Sequence, residues 1–136
     1  MDDLSISSKI ASNGMKAQAT RLRVISENLA NADSTAETPG GQPYRRKLIT
    51  FRTSLDKELE ADTVKVKRIF NDQSALSSRY DPTHPGANNA GYVLVPNVNP
   101  LIEMMDMREA QRSYEANMNV ISTSRQMLAK TLELLK

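Results

Sequence analysis

Apolar positions along this chain follow a helical period at both ends and lose it in the middle. Leu4, Ser8, Ala11, Met15, Gln18, Leu22, Ile25, Leu29 and Ala32 keep an alternating four-three spacing. That spacing places them on one narrow seam of a helix, the pattern of a coiled-coil partner. At the other end Met107, Tyr114, Ile121, Leu128 and Leu135 repeat every seven residues. Met118 and Leu132 widen that stripe, while Gln111 and Arg125 interrupt it. Arg108, Arg112, Glu115, Asn119, Ser122 and Gln126 fall on the opposite side.

Prolines mark where the helices stop. All six lie between residues 39 and 100, and four of the five glycines share that stretch. Asn99-Pro100 reads as a cap followed by a first-turn proline, with Glu103 and Asp106 near the positive helix end. Asp3 or Ser5 is placed to cap the first helix, and Gly14 weakens it by about 1 kcal/mol relative to Ala. The seam before Gly14 is weak, so the first dozen residues are expected to fray. The predicted segments are a helix over 1–33, an irregular middle over 34–98 and a second helix over 99–136. At ~1.5 Å per residue the rods over 4–32 and 99–135 would be about 44 and 55 Å long.

The middle is loop and short strand. Residues 34–43 are Gly/Pro/Thr-rich, and 81–91 (Asp-Pro-Thr-His-Pro-Gly-Ala-Asn-Asn-Ala-Gly) cannot form a helix. Leu48–Phe51, Val64–Phe70 and Tyr92–Val95 are the strand candidates. Five of the six aromatics (Tyr44, Phe51, Phe70, Tyr80, Tyr92) lie here, which suggests a small β-rich element. The expected fold is mainly α, with two long terminal helices packing as a coiled-coil-like pair around this centre.

Composition points to incomplete burial. Apolar residues make up 39% and aromatics 4% of the 136 residues, low for a domain that closes its own core. An elongated molecule completed by partners is expected, with Met15, Leu22, Ile25, Leu29, Met107, Tyr114, Met118, Ile121, Leu128, Leu132 and Leu135 as the assembly surface. Five of the seven methionines sit in the second helix, either as core or as an adaptable contact surface. Net charge is +2, and the basic excess is confined to 44–80, with nine Lys/Arg against five Asp/Glu. That excess is either a solvated face or a face toward an anionic partner.

Chemistry is sparse. There is no cysteine, and the single histidine, His84, sits in a proline-flanked loop. Asp56, Glu58, Glu60 and Asp62 form a charged run with no apolar surroundings to raise a pKa. Gly40-Gly41 precedes Gln-Pro, not a helix start, so it is no phosphate loop. No catalytic, metal or cofactor-binding set is expected, nor any enzyme activity. No run reaches the ~18–20 apolar residues of a membrane span. The acidic start, Met1-Asp2-Asp3-Leu4-Ser5, does not read as a secretory signal.

The motifs carry a family resemblance. Gln18 to Ala32, ending Asn28-Leu29-Ala30-Asn31-Ala32, resembles the N-terminal helix of the flagellar rod and hook family of axial proteins. Pro43-Tyr44-Arg45-Arg46-Lys47, Tyr80-Asp81-Pro82-Thr83-His84-Pro85, and Gly91-Tyr92-Val93 running into Pro96-Asn97-Val98-Asn99 resemble a proximal rod subunit within it. Glu103-Met104-Met105-Asp106-Met107 and Arg112-Ser113-Tyr114-Glu115-Ala116-Asn117 continue the match. Two features depart from the pattern. Gly86-Ala87-Asn88-Asn89 stands where acidic residues are usual, and Pro100 where an aliphatic residue is usual. The resemblance implies a structural subunit of the periplasm-spanning basal-body rod that assembles with copies of itself, other rod subunits and base proteins. It also implies delivery by the flagellar type III export apparatus. The alternatives are a nucleic-acid binder using 44–80, or a cytoplasmic coiled-coil adaptor.

Overall fold

A computed structural model describes residues 3–135; Met1, Asp2 and Lys136, at the outer ends of the two expected helical flanks, lie outside the described residues. The chain is mainly α with a few strands in its middle. Helix α1 spans Asp3–Ala30 and helix α2 spans Pro100–Leu134. Between them lie β1 (Lys47–Asp56), β2 (Ala61–Asn71), β3 (Ser77–Tyr80) and β4 (Tyr92–Val95), as two separate two-stranded sheets, β1 with β2 and β3 with β4. Two compact units can be distinguished. One draws on the segments up to Leu22, Ile49–Arg68 and from Arg108 onward; the other draws on Arg23–Leu48 and Ile69–Met107.

The helix ends are set by side chains. Asn99 Oδ1 accepts from the Leu101 and Ile102 amides at 3.0 and 3.4 Å, the N-cap expected from Asn99-Pro100. Helix α1 is continuous from Asp3 through the dozen residues expected to fray, and Ser7 Oγ donates to Asp3 O at 3.0 Å in its first turn. It closes two residues earlier than the apolar spacing suggests. Asn31 Nδ2 takes up the Glu27 carbonyl at 2.8 Å, and Asn31-Ala32-Asp33 turns the chain away.

The strands are longer than their apolar cores. Strand β1 extends from the expected Leu48–Phe51 out to Asp56, and β2 begins three residues before Val64. The four-residue link 57–60 makes them a hairpin, with Glu60 at its tip in a left-handed conformation (φ 50°). Strand β3 was not anticipated, because Ser-Ser-Arg-Tyr has neither alternation nor branched residues. It forms because β4 supplies an antiparallel partner in register Ser77↔Val95 to Tyr80↔Tyr92. The Tyr80 and Tyr92 rings then meet edge to face, centroids 5.3 Å apart. Gly91, at φ 83°, precedes the strand where a Cβ would come 2.9 Å from the Tyr80 ring.

In the first unit the helices meet through small residues. Ala11, Ala17 and Ala110 are buried. A Cβ on Gly14 would stand 2.9 Å from Asn117 Oδ1, so the glycine that weakens α1 as an isolated helix is what lets α2 approach it. Arg21 reaches Glu109 at 3.4 Å. Pairing of 21 with 109 and of 14 with 117 makes the two helices antiparallel here.

In the second unit the centre is polar. Asn28 is 1% exposed, and every hydrogen-bonding position of its carboxamide is used. Its Nδ2 donates to Lys47 O (2.9 Å) and Glu103 Oε2 (3.1 Å). Its Oδ1 accepts from Lys47 N and from Tyr44 OH, both at 2.8 Å. Glu103, also 1% exposed, receives Arg46 Nε on its other oxygen. Glu103 lies in the first turn of α2, as the sequence placed it, and is also a buried partner of Arg46 and Asn28. Arg46 also reaches Asp106 at 3.4 Å, and its amide donates to Asn97 Oδ1 at 2.8 Å. Asn97 Nδ2 in turn bonds Asp72 O and Ser74 Oγ. One four-residue segment, Tyr44 to Lys47, thereby ties α1, α2 and the 72–74 turn together.

His84 is held in the same unit. Its Nδ1 accepts from the Gly86 amide at 2.9 Å, which leaves Nε2 to carry the proton and donate to Thr35 Oγ1 at 3.0 Å. The residue joins two loops, which is a structural role.

Truncating Asn28 to Ala strands two backbone groups, a phenol and a buried carboxylate oxygen. Each unsatisfied buried group costs roughly 1–3 kcal/mol, so a loss of about 2–4 kcal/mol after relaxation is expected in urea unfolding. Asn28→Asp puts a second carboxylate against Glu103. It should be destabilised at neutral pH and recover as the pH falls and one of the pair takes up a proton. A change below about 0.5 kcal/mol for Ala would show that the network is dispensable.

The exposed pairs set the pH dependence. The Lys47 ammonium, 2.8 Å from Glu27, holds that carboxyl below its usual value of 4.5, and the Ser74 amide holds Asp72 below its own. The Glu27 hydrogen bond raises Lys47 above 10.5. Depressed carboxyls contribute stability above their unfolded pKa and lose it as the pH falls through the folded values. A raised lysine contributes below 10.5 and loses its contribution as the pH rises through its folded value. Urea midpoints measured across pH should therefore be flat from about pH 5 to 10 and decline on both sides. Glu27→Gln should soften both limbs.

Candidate assembly interface

Helix α2 buries small and polar residues and leaves large apolar ones outside, whereas α1 buries Val24 and Ile25 beside its alanines. Along α2 the positions deepest in the protein are Glu103, Ala110 and Ser124, with Asn117 half-buried between the last two, at a seven-residue interval. The predicted column runs beside this one. Met107, Tyr114 and Ile121 are half-buried, and the later members emerge: Leu128 is 42% and Leu135 79% exposed. Leu132 and Met118 are 58% and 47% exposed. On α1, Met15, Leu22 and Leu29 are half-buried, whereas Ile25 is buried inside its own unit and has no surface to offer a partner.

The structure brings part of this set together. Met15 and Ala19 of α1 line an open groove with Tyr114 and Ile121 of α2, flanked by Ser12 and Lys16. Leu128, Leu132 and Leu135 lie beyond it, and residues 125–135 are exposed throughout. The predicted polar side, Arg108, Arg112, Glu115, Asn119, Ser122 and Gln126, is exposed at every position.

A second stripe escaped the sequence reading. Val120, Met127 and Leu134 also repeat every seven residues and are exposed, each about 100° round the helix from the Ile121–Leu128–Leu135 column. The signal was there in the spacing, but a stripe of three is hard to separate from chance beside a stronger one. Leu101, Ile102, Met104 and Met105 expose a further apolar face in the first turns of α2, and Tyr80, Tyr92 and Leu94 do so on the β3–β4 hairpin. Isolated exposed leucines are ordinary, but contiguous rows of them on a monomer mark contact surfaces.

Chemically this surface offers apolar area and no reactive group set. Among the described residues no group of His, Asp or Glu is arranged to hold a metal ion, and no helix is long and apolar enough to cross a membrane. The ion pair at its border, Arg21–Glu109, has Glu109 largely in solvent and contributes at most about 1 kcal/mol.

Comparison with known proteins places both helices in one family. Residues 9–36 match the family described as flagella basal body rod protein, and residues 89–134 match flagellar basal body rod FlgEFG protein C-terminal. The chain is 53% identical to the flagellar basal-body rod protein FlgC of Agrobacterium fabrum, over 100% of this chain and 98% of that one. It is 44% identical to the FlgC of Buchnera aphidicola (90% and 91% covered) and 39% identical to that of Bacillus subtilis (92% and 93%). Neither the nucleic-acid nor the adaptor alternative finds support among these relatives. With such identity over its whole length, the chain belongs to the FlgC family of flagellar basal-body rod proteins, structural subunits of the rod and a non-enzymatic family.

Proposed function

We propose that this subunit joins the proximal rod through its terminal helices, which complete a coiled-coil-like core only when neighbours cover their outward rows. The observation that carries this reading is the inverted partition of α2, with Ala110 and Ser124 buried while Leu128, Leu132 and Leu135 face outward. Met15, Leu22, Leu29, Met107, Tyr114, Met118 and Ile121 extend the contact surface. The partners are further copies, other rod subunits and base proteins of the flagellum. Delivery through the type III export apparatus, followed by incorporation into the hollow periplasm-spanning shaft, belongs to the same reading. Heterologous contacts suit it, since they propagate as a helix instead of closing as a twofold pair.

Leu128→Asp tests it. A carboxylate buried without a partner in a packed contact costs roughly 3–5 kcal/mol, and the contact recurs in every copy. The variant should be synthesised and exported yet support no rod, no hook and no swimming. Ser122→Asp, on the polar side, should swim nearly normally. Normal motility of the Leu128→Asp strain would remove this stripe from the assembly surface.

A further inference from the structure

The β3–β4 hairpin leaves one of its two edges open. Its register, Ser77↔Val95 to Tyr80↔Tyr92, continues into the Asp81 amide, which donates to Gly91 O at 2.9 Å. Bonded and non-bonded pairs alternate along an antiparallel ladder, so 79↔93 and 77↔95 exchange hydrogen bonds while 78↔94 and 80↔92 do not. The backbone groups of Ser78 and Tyr80 therefore point away from β4. On the far side of the hairpin Asn88 closes the edge at Tyr92. Its amide donates to Tyr92 O and its Oδ1 accepts from Tyr92 N, both at 2.9 Å. Nothing does this for β3. No further strand flanks it, its residues are all exposed, and among the described residues the N–H and C=O groups of Ser78 and Tyr80 have no hydrogen-bond partner.

The side chains along this edge specify what fits it. Alternation puts Ser78 and Tyr80 with Tyr92 and Leu94 on one side of the hairpin, and Arg79 with Val93 on the other. Val93 is buried, so the first side faces out, and there Ser78, Asn88, Tyr92 and Leu94 line a shallow depression. Arg79, in the middle of the edge, is exposed and has no ion-pair partner among the described residues. A charge placed there guards the edge against its own kind. Two β3 strands paired antiparallel, in the register that bonds both Ser78 and Tyr80, would set Arg79 against Arg79 in a non-hydrogen-bonded pair, where side chains come closest. Like charges so placed repel, and a carboxylate in that position attracts.

We propose that the outer edge of β3 is a strand-addition site for an extended segment of a different polypeptide, one with a carboxylate residue between two apolar ones. Only an extended backbone presents donors and acceptors at the repeat of about 6.8 Å that separates Ser78 from Tyr80. The carboxylate falls opposite Arg79. Its apolar neighbours fall opposite Ser78 and Tyr80, on the side where Tyr92 and Leu94 are uncovered. The site lies apart from the stripes on α2, so it stands or falls independently of the helical assembly.

Nuclear magnetic resonance on the isotope-labelled full chain tests it. In the free chain the Arg79 amide should exchange slowly with solvent, and the Ser78 and Tyr80 amides fast. The probes are acetyl-Thr-Val-Glu-Val-Thr-amide and the same peptide with Lys in place of Glu, each titrated to millimolar concentration. The Glu peptide should shift the Ser78 and Tyr80 signals saturably, slow their exchange, and bind about five- to tenfold more tightly than the Lys peptide. Arg79→Glu should reverse that preference. Ser78→Pro, which removes an outward amide and no ladder bond, should abolish binding of both. Equal binding of the two peptides, shifts away from β3, no saturable shift, or an unreversed preference in Arg79→Glu would each overturn the proposal. Slow exchange at Ser78 and Tyr80 that depends on protein concentration would overturn it in favour of a pair of copies.

Discussion

The Asn28 carboxamide is the contact on which the second unit depends. It fills the role of a β-ladder neighbour, giving and taking one hydrogen bond with the Lys47 backbone, while binding the Glu103 carboxylate and the Tyr44 hydroxyl. A carboxamide is the one neutral group of this size with two donors and two acceptor sites. Aspartate would repel Glu103, and leucine would strand all four partners. Burying such a group is tolerable only because every position is met. The Glu103–Arg46 pair extends the same logic. Its net stabilisation over an apolar substitute is small, but loss of either member leaves a buried charge uncompensated. What the network supplies is a single register among α1, the 44–47 segment and α2.

Polar specificity inside goes with apolar surface outside. Apolar residues are only 39% of the chain, the buried hydrophobics are mostly alanine and valine, and leucines and methionines line the exterior of α2. Small residues permit close helix approach, as Gly14 and Asn117 illustrate, without consuming the large side chains. A subunit arranged this way keeps its internal geometry through hydrogen bonds and, on the assembly proposed above, has apolar area left for neighbours to cover, where the driving force scales with the area removed from water.

The irregular middle is ordered by local chemistry. His84 pins the 81–91 loop to Thr35, the Tyr80–Tyr92 pair closes a four-residue hairpin, and Asn97 holds the 72–74 turn beneath Arg46. None of these devices needs a large core, which suits a segment of about sixty residues near the lower size limit for independent folding.

Periodicity alone determined the two helices, because a seven-residue recurrence of apolar side chains has no other regular solution, and the Asn99-Pro100 cap located the start of α2 to the residue. Proline and glycine placement likewise determined that the middle is loop and strand. Tertiary structure decided which side of each helix turns inward. Apolar spacing named Met107, Tyr114, Ile121 and Leu128 as the seam, whereas Glu103, Ala110, Asn117 and Ser124 sit deeper, since Glu103 reveals its burial only once Arg46 and Asn28 stand opposite it, and Asn117 only once Gly14 does. Strand β3 was invisible for the same reason: Ser77 to Tyr80 have no intrinsic strand preference and extend only because β4 offers its backbone. Local pattern encodes what a segment does by itself; satisfaction of a buried polar atom is a property of two segments, and only their meeting shows it.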